Sequence, residues 1–421
     1  MFLTFKIVLS VLLLCIQYYF YRNVTERFKA KPDSSLGRLL TNLFFALFSL
    51  PLVVMLAWPV QLQYMPNWFV LAAVYPFYVW HFSSFVLFLF IMTGKILKLP
   101  FLSMVWLLSK FRRTGRWINS IREKQNPAYL AERRRFLRQG VTIVAGVAVT
   151  GSAYGAFRRN NYELTDIAIP IKNLPDQFNG FTIALVSDIH SSVFMTKEQM
   201  DHYVGEVNAI DADMIAVTGD FVNSMVEEVY PFAEAFSALK ARLGIYGVLG
   251  NHDYYTRKVD LVAKEVENCG IKLLRNERIE IRRGTSAIQL LGVDDIGSAQ
   301  RAAMHFDRTL QGATDSIPKI LLCHRPYFFE EAADRNIDLT LAGHTHGGQI
   351  VFARIGKDVF APARIASPYV AGLYSLGVSK MYVSRGIGTV GVPIRINCPA
   401  EITKITLVQS KGVLMQAASV E

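Results

Sequence analysis

Three long apolar runs near the N-terminus limit the folds open to this chain more than any other feature. They extend over residues 2–21, 39–58 and 68–93, and a fourth run, rich in Gly, Ala and Val, covers 141–157. A helix needs about 20 apolar residues to cross a bilayer core of about 30 Å. The sequence therefore predicts a membrane region with about four transmembrane helices within residues 1–159.

The charged residues divide the chain at the same place. Residues 1–159 contain 20 Lys and Arg against 4 Asp and Glu, whereas residues 160–421 contain 25 against 30, so the net charge of +11 is made of +16 and −5. Basic residues beside apolar runs are typical of membrane proteins, in which they set the orientation. An acidic C-terminal part offers no electrostatic reason to bind nucleic acid, and we expect no such partner.

The distribution of basic residues predicts the topology. The first and third connections are rich in Lys and Arg, whereas the second, "QLQYMPN", has none, which places the first and third in the cytoplasm. The fourth run then carries the rest of the chain across the membrane. Arg133, Arg134, Phe136 and Leu137 resemble a twin-arginine export signal; the alternative is a basic flank that happens to contain paired arginines. We expect a multi-pass protein of the cell (inner) membrane, with its C-terminal domain periplasmic or extracellular.

From Asn160 onward the pattern changes to short apolar runs that alternate with helical stretches, which predicts an α/β domain over residues 160–421. Five of these runs end at side chains that can bind a metal ion. These side chains are Asp188 and His190 after "FTIALV", Asp220 after "MIAVTG", Asn251, His252 and Asp253 after "IYGVLG", His324 after "KILLC", and His344 and His346 after "LTLAG". Strands that end at one edge of a sheet commonly form a site there. Five of the chain's eight histidines lie at these ends.

As an ordered set, these motifs resemble the calcineurin-like metallophosphoesterases. The set is D-x-H at 188–190, G-D at 219–220, G-N-H-D at 250–253, His324, and G-H-T-H at 343–346. The stretches "CHRP", "GHTHGGQI" and "SRGIGTVGVPIRINCPAEIT" resemble a membrane-linked bacterial subgroup that has animal relatives with several spans. The resemblance covers residues 181–405. It implies transmembrane helices followed by an α/β metallophosphoesterase domain, built as a two-sheet αββα sandwich.

The resemblance also implies a metal centre with two divalent ions. Asp188, His190 and His346 would bind the first ion; Asn251, His324 and His344 would bind the second; Asp220 would bridge them. Mixed nitrogen and oxygen ligands suit Mn, Fe or Zn. His252 would act as general acid or transition-state stabiliser, and Asp253 would orient its ring. An extended turn at Thr345 would direct His344 and His346 to different ions.

These features predict a membrane-anchored phosphohydrolase, either a phosphodiesterase or a phosphatase, that acts on the non-cytoplasmic side. A lipid head group, a cell-envelope phosphodiester and an exported nucleotide are the candidate substrates, and the sequence does not indicate an oligomeric state. Arg325 and Arg385 could contact phosphate or form salt bridges. A non-catalytic membrane module that binds or senses metal is the alternative, against which the complete ligand set with His252 argues. A nuclease would use the same chemistry, but the acidic C-terminal part of this chain offers no basic track along a nucleic-acid backbone.

Overall fold

The computed structural model of the protein describes residues 2–28, 35–57, 62, 65–123, 127–295, 297, 299–355 and 358–410. The chain divides into two compact units, Met1–Ala156 and Phe157–Glu421. The described part of the first unit is helical, and the second unit contains the described strands.

The described residues of the N-terminal unit include seven α-helices and one π-helical turn. These are α1 (Phe2–Phe28), α2 (Ser35–Ala57), α3 (Asn67–Phe69), the π-helical turn Val70–Val74, α4 (Tyr75–Ile96), α5 (Leu99–Ser109), α6 (Arg112–Glu123) and α7 (Pro127–Phe157). Four stretches among the described residues are long and apolar enough to cross a membrane: Lys6–Glu26, Ser35–Leu56, Asn67–Ser109 and Pro127–Phe157. The predicted set of about four membrane helices is confirmed. Trp58, at the end of the second predicted run, lies outside the described residues.

Polar side chains inside this unit bond to helix backbone and to one another. His81 contacts the Phe77 carbonyl of its own helix through Nδ1 at 2.8 Å. Ser83 Oγ lies 3.0 Å from Ser152 Oγ and donates to the Ala148 carbonyl at 3.2 Å, which joins α4 to α7. Such bonds satisfy polar groups that would otherwise be costly in an apolar environment.

The C-terminal unit contains two six-stranded sheets and a small hairpin. Its strands are β1 (Tyr162–Ile171), β2 (Thr182–Val186), β3 (Met214–Val217), β4 (Ile245–Gly247), β5 (Lys272–Leu273), β6 (Glu277–Arg283), β7 (Ser286–Val293), β8 (Lys319–Cys323), β9 (Leu339–Ala342), β10 (Ala353–Ile355), β11 (Asp358–Phe360), β12 (Gly372–Leu376), β13 (Ser379–Val383) and β14 (Ala400–Gln409). One sheet has the order β1-β14-β2-β3-β4-β5 and the other β12-β13-β9-β8-β7-β6, while β10 and β11 pair separately.

Six α-helices are found among the described residues of this unit, and five of them cover the outer faces of the sheets. The six are α8 (Lys197–Ala209), α9 (Val229–Phe236), α10 (Asn251–Tyr255), α11 (Val259–Asn268), α12 (Ala299–Thr309) and α13 (Phe329–Asp334). Residues of α8, α9 and α11 pack on the outer face of the first sheet, and residues of α12 and α13 pack on that of the second. Each helix layer therefore shields one sheet from solvent.

The strands alternate strictly between the inner and outer apolar layers. In β2, Ile183 and Leu185 face the second sheet, whereas Ala184 and Val186 face the helices. In β8, Ile320 belongs to the same inner cluster as the β2 residues, because the two sheets pack face to face. A period of two along each strand produces this division. The predicted αββα sandwich is confirmed.

Parallel pairing sets the direction in which the strands deliver their loops. β2, β3 and β4 are parallel neighbours in the first sheet, and β8 and β9 are parallel neighbours in the second. The carboxyl ends of parallel strands lie at the same edge. The five loops that carry the predicted metal-binding residues follow these five strands directly.

Candidate metal centre

Two clusters of donor atoms meet where these five loops converge. The donor atoms of Asp188, His190 and His346, here called the first group, all lie within 4.8 Å of one another. The donor atoms of Asp220, His324 and His344 do so as well. We call Asn251, His324 and His344 the second group, with Asp220 between the two groups.

Donor-to-donor distances in the first group are short. Nε2 of His190 lies 3.0 Å from Nε2 of His346, and Nε2 of His346 lies 3.6 Å from Oδ1 of Asp188. Nε2 of His190 also lies 3.5 Å from Oδ2 of Asp220. All four side chains are buried.

The second group is centred on His324. Its Nε2 lies 3.2 Å from Oδ1 of Asn251, 3.2 Å from Nδ1 of His344 and 3.3 Å from Oδ2 of Asp220. The same oxygen of Asp220 therefore faces both groups. This is the arrangement required of a bridging carboxylate.

These distances match the spacing of ligands around one ion. With ligand bonds of about 2.0–2.2 Å, neighbouring ligands of a tetrahedral or octahedral ion are about 3.0–3.5 Å apart. The six distances given above run from 3.0 to 3.6 Å. Asp188, Asp220 and Asp253 are also buried together, and buried carboxylates need a compensating positive charge. On both counts, the residues fit two divalent cations.

The protonation of the imidazoles supports the same interpretation. Burial lowers the pKa of His190 to about 3 and lowers the pKa values of His344 and His346 well below the usual range, so these rings are neutral near pH 7. Neutral imidazole is the form that binds metal. Burial would also lower the pKa of His324, but the Asp220 carboxylate outweighs it and raises this pKa to about 10. A cation bound between Asp220 and His324 would replace that proton.

The backbone is strained at most of the predicted ligands. Five of the seven have a positive φ: Asp188 (51°), His190 (49°), Asp220 (55°), His344 (70°) and His346 (52°). This left-handed region costs a non-glycine residue about 1–2 kcal/mol. Thr345, between the two histidines, has φ −87° and ψ −10°. The predicted extended turn at Thr345 is therefore wrong. Thr345 has a helical conformation, and the left-handed conformations of His344 before it and His346 after it separate the two rings.

Two glycines allow the loops to approach this closely. A Cβ on Gly343 would lie 2.3 Å from Oδ2 of Asp188, and one on Gly250 would lie 2.2 Å from Oδ1 of Asp220. Because Gly343 leaves this space, the His344 amide donates to both oxygens of Asp188, at 2.9 and 3.0 Å. The carboxylate is held in a fixed orientation towards the first group.

His252 stands beside the ligands but is tied to a different loop. Its ring centroid is 4.6 Å from that of His190, and one of its ring nitrogens lies within 4.8 Å of the donor atoms of His190 and Asp220. Nδ1 contacts the Asn223 carbonyl. Since a carbonyl accepts only, Nδ1 carries a proton there and Nε2 is the nitrogen free to gain or lose one. Asn223 was not foreseen from the sequence.

The predicted orienting contact between Asp253 and the His252 ring is absent, although both residues are described. The Asp253 carboxylate instead accepts backbone N–H bonds from Asp220 at 3.1 Å and Gly250 at 2.8 Å, and from Phe221 and Val222 at 2.9 and 3.2 Å. Four orphan donors in two tight turns attract the carboxylate more strongly than a ring already satisfied elsewhere. Asp253 thus fixes the turns that carry Asp220 and Asn251.

Other supporting contacts of the second group were also missed. Nδ1 of His324 donates to the Thr218 carbonyl at 2.8 Å, and the Tyr327 hydroxyl contacts Nε2 of His344. Such contacts orient ligand rings and fix their tautomers. Tyr327 follows "CHRP" three residues after His324. Nothing in a single sequence distinguishes this tyrosine from an ordinary packing residue.

Both predicted phosphate-contact arginines are engaged in ion pairs. Arg325 pairs with Asp295 through two bonds, at 2.6 and 2.9 Å. Arg385 pairs with Glu163 at 2.8 Å and with Glu401 at 3.3 Å. The salt-bridge alternative therefore describes both residues.

A two-sheet α/β unit with nine clustered polar loop residues defines a class of metal-dependent hydrolase, and comparison with known proteins identifies the family. Residues 181–348 match the family Calcineurin-like phosphoesterase. An uncharacterized metallophosphoesterase of Bacillus subtilis, YkuE, is 30% identical over 286 residues, which covers 65% of this chain and 97% of that one. The chain belongs to the calcineurin-like metallophosphoesterase family.

Two further relatives differ in how much of them is matched. A Danio rerio protein described as a transmembrane protein with metallophosphoesterase domain is 33% identical over 258 residues, covering 59% of this chain and 58% of the relative. Phosphodiesterase YaeI of Escherichia coli is 28% identical over 285 residues, covering 66% of this chain and all 100% of the relative. This chain thus spans somewhat more than half the length of the animal relative.

Proposed function

We propose that this protein is a membrane-anchored, two-metal phosphohydrolase that cleaves phosphoester bonds. The convergence of seven donor residues from five strand ends, spaced as the ligands of two ions, carries the proposal. Asp188, His190 and His346 would hold one ion, and the second group would hold the other, with Asp220 shared. Mn, Fe and Zn all suit these ligands. The name phosphodiesterase, printed for the Escherichia coli relative, supports the same reaction class.

The protein's own residues would position the substrate and move a proton. When bound, the two ions would polarise the phosphoryl oxygens and lower the pKa of a water molecule. His252, protonated on Nδ1 by its bond to Asn223, would donate the Nε2 proton to the departing oxygen. Asp253 would keep the two ligand turns at a fixed separation while charge develops.

The location would be the non-cytoplasmic side of the cell (inner) membrane. The basic first and third connections and a fourth crossing support a periplasmic or extracellular domain. The twin-arginine-like residues Arg133 and Arg134 would support export of a folded domain. Substrates at this location include lipid head groups and other envelope phosphoesters.

Hydrolysis by the loaded protein tests the enzymatic proposal. The full chain, purified in detergent and supplied with Mn, Fe or Zn, should bind two ions and hydrolyse bis-p-nitrophenyl phosphate. Elemental analysis gives the ion count, and release of p-nitrophenol gives the turnover. Two bound ions without turnover of this diester or of p-nitrophenyl phosphate would favour the metal-sensing alternative.

A reporter at the C-terminus tests the sidedness. β-Lactamase fused after Glu421 should protect intact cells from ampicillin, because it acts outside the cytoplasm and is active whether it is exported folded or unfolded. Because the four crossings determine the side, deleting residues 127–157 should abolish that protection. The opposite result for the intact chain would contradict the predicted orientation.

A further inference from the structure

An apolar cleft of about 350 Å³ opens beside the metal centre. His344 and His346 form part of its lining, together with Tyr327. Much of the remaining wall is aliphatic: Ile350, Pro362, Ala363, Ala366, Val390 and Val392. A phosphoester bound at the ions would therefore place one of its ester substituents among apolar side chains.

The polar side chains of this cleft are occupied by the protein's own backbone. The Gln349 amide donates to the carbonyls of Val390 and Val392 at 3.0 and 2.9 Å and accepts from the Val390 N–H at 2.9 Å. Thr345 donates to the Val370 carbonyl at 2.6 Å, and Ser367 bonds to Tyr369. A polar ester substituent such as a nucleoside would find few partners here, whereas a hydrocarbon chain needs none.

Residues 352–355 and 358–366, here called the rim segment, adjoin this cleft and expose large apolar side chains. Phe352 is 70% exposed, Ile355 67%, Phe360 50% and Ile365 93%. The segment is nevertheless built on an apolar core of its own, because Val359 and Ala361 are buried with Val351, Val370 and Cys398. In the β10–β11 register Ile355 and Phe360 lie on the face opposite Val359. The exposed side chains thus form an outer face on an anchored hairpin.

The charge of the rim segment differs from that of its domain. Residues 352–366 contain three basic residues and one acidic residue, within a part of the chain whose net charge is −5. Exposed apolar side chains in a stretch of net positive charge are typical of surfaces that enter the head-group region of an anionic bilayer. The same chain supplies four candidate membrane helices, and α7 ends at Phe157, five positions before β1 begins at Tyr162. A bilayer is therefore the apolar partner to which the chain itself tethers this domain.

From these observations we infer that the rim segment inserts into the bilayer surface and that the cleft receives the hydrocarbon part of a membrane lipid. The substrate class is then a phosphoester of an amphiphile, taken directly from the membrane. This inference rests on the proposed function for its catalytic part, but the membrane contact of the rim segment stands independently of it.

Spin labelling tests the membrane contact without any activity measurement. A nitroxide would be attached at Ile365→Cys in a Cys15→Ser background, since Cys269, Cys323 and Cys398 are buried. The matched control is Met304→Cys on α12, because Met304 is 63% exposed. In nanodiscs of phosphatidylcholine and phosphatidylglycerol, the label at 365 should collide more with oxygen than with a water-soluble nickel complex, and the label at 304 the reverse. A water-like profile at 365 would overturn the inference.

Kinetics with two diesters test the substrate class. Phe352→Ser/Ile365→Ser removes two rim side chains that do not line the cleft, and Tyr230→Ser/Met304→Ser is the control. For hexadecyl p-nitrophenyl phosphate in nanodiscs, kcat/KM of the rim variant should fall about tenfold, with bis-p-nitrophenyl phosphate within about twofold of wild type. Equal losses on both diesters, or none on the hexadecyl diester, would overturn it. If the wild-type protein hydrolysed neither diester, the proposed function would be contradicted. The spin-label collision measurement would then be the test of the membrane contact.

Discussion

The two groups of candidate ligands are supported by the protein in different ways. In the first group, His190 and His346 are fully buried, and their Nδ1 atoms have no hydrogen-bond partner among the described residues. In the second group, His324 donates to the Thr218 carbonyl and His344 contacts the Tyr327 hydroxyl. Hydrogen bonds behind a ligand fix its tautomer and raise its basicity. Packing orients the imidazole rings of the first group, whereas hydrogen bonds orient those of the second.

One histidine of each group lines the cleft, His344 of the second and His346 of the first. The two rings differ in their support: His344 contacts the Tyr327 hydroxyl, whereas Nδ1 of His346 has no hydrogen-bond partner among the described residues. The second group is therefore the one whose donor strength is tuned at the cleft. We expect changes to shared residues to affect both ions, and changes behind His344 to affect one.

Asp220→Asn should have the largest effect, because Oδ2 of Asp220 faces both groups. Loss of the bridging charge should reduce turnover of bis-p-nitrophenyl phosphate by about a thousandfold or more and lower the number of bound ions below two. Elemental analysis and steady-state kinetics measure both. Asp213→Asn is the matched control: it is a buried carboxylate beside the start of β3, bonded to Thr182. If Asp220→Asn retained both ions and its activity, the assignment of Asp220 as the bridging ligand would be contradicted.

His252→Ala should have the second-largest effect on turnover, and it should leave both groups of ligands intact. General acid–base residues typically contribute about 10²–10⁴-fold, so a loss of about a hundredfold or more in kcat is expected with two ions still bound. The loss should be smaller for a diester with a better leaving group, which needs less protonation. His202→Ala, on α8, is the control. If His252→Ala loses an ion, the residue must be reassigned as a ligand.

The donor residues of this site could be predicted from the sequence because strand periodicity and motif order are local properties. The ends of β2, β3, β4, β8 and β9 carry the donor residues as expected, and parallel pairing brings them together. The left-handed backbone could not be read in this way, because the surrounding fold imposes it on residues that do not prefer it. Aspartate and histidine give no local signal of a positive φ as strong as glycine does.

Contacts between distant loops account for what the sequence did not reveal. Asp253 was expected to orient its neighbour His252, yet its carboxylate bonds to backbone about 30 residues away, at Asp220 to Val222. The His252 ring in turn is held by a carbonyl at Asn223. Backbone donors and acceptors are the same in every residue, so no pattern of side chains can indicate which of them will bond.

Tyr327→Phe should show directly that the two groups are supported independently of each other. Removing the hydroxyl leaves Nε2 of His344 without its partner, and mutation of such supporting residues typically lowers metal affinity about 10–100-fold. The loss should be confined to one of the two ions, visible as a second, weaker phase in a metal titration. Tyr369→Phe, whose hydroxyl bonds to Glu330, is the control. A parallel loss of both ions would mean that the groups are not independently supported.

Thr345→Val should have the smallest effect of the set, although Thr345 is the one residue between a first-group and a second-group ligand. Its hydroxyl donates to the Val370 carbonyl at 2.6 Å, and valine preserves its shape but leaves that buried acceptor unpaired. We expect about 1–3 kcal/mol of lost stability, measured as a lower Tm, with both ions retained because the turn is also held by the His344 amide on Asp188. The exposed Thr285→Val should leave Tm unchanged. If Thr345→Val lost either ion, the hydroxyl would be part of the support of the metal centre, and the two groups would be coupled through this turn.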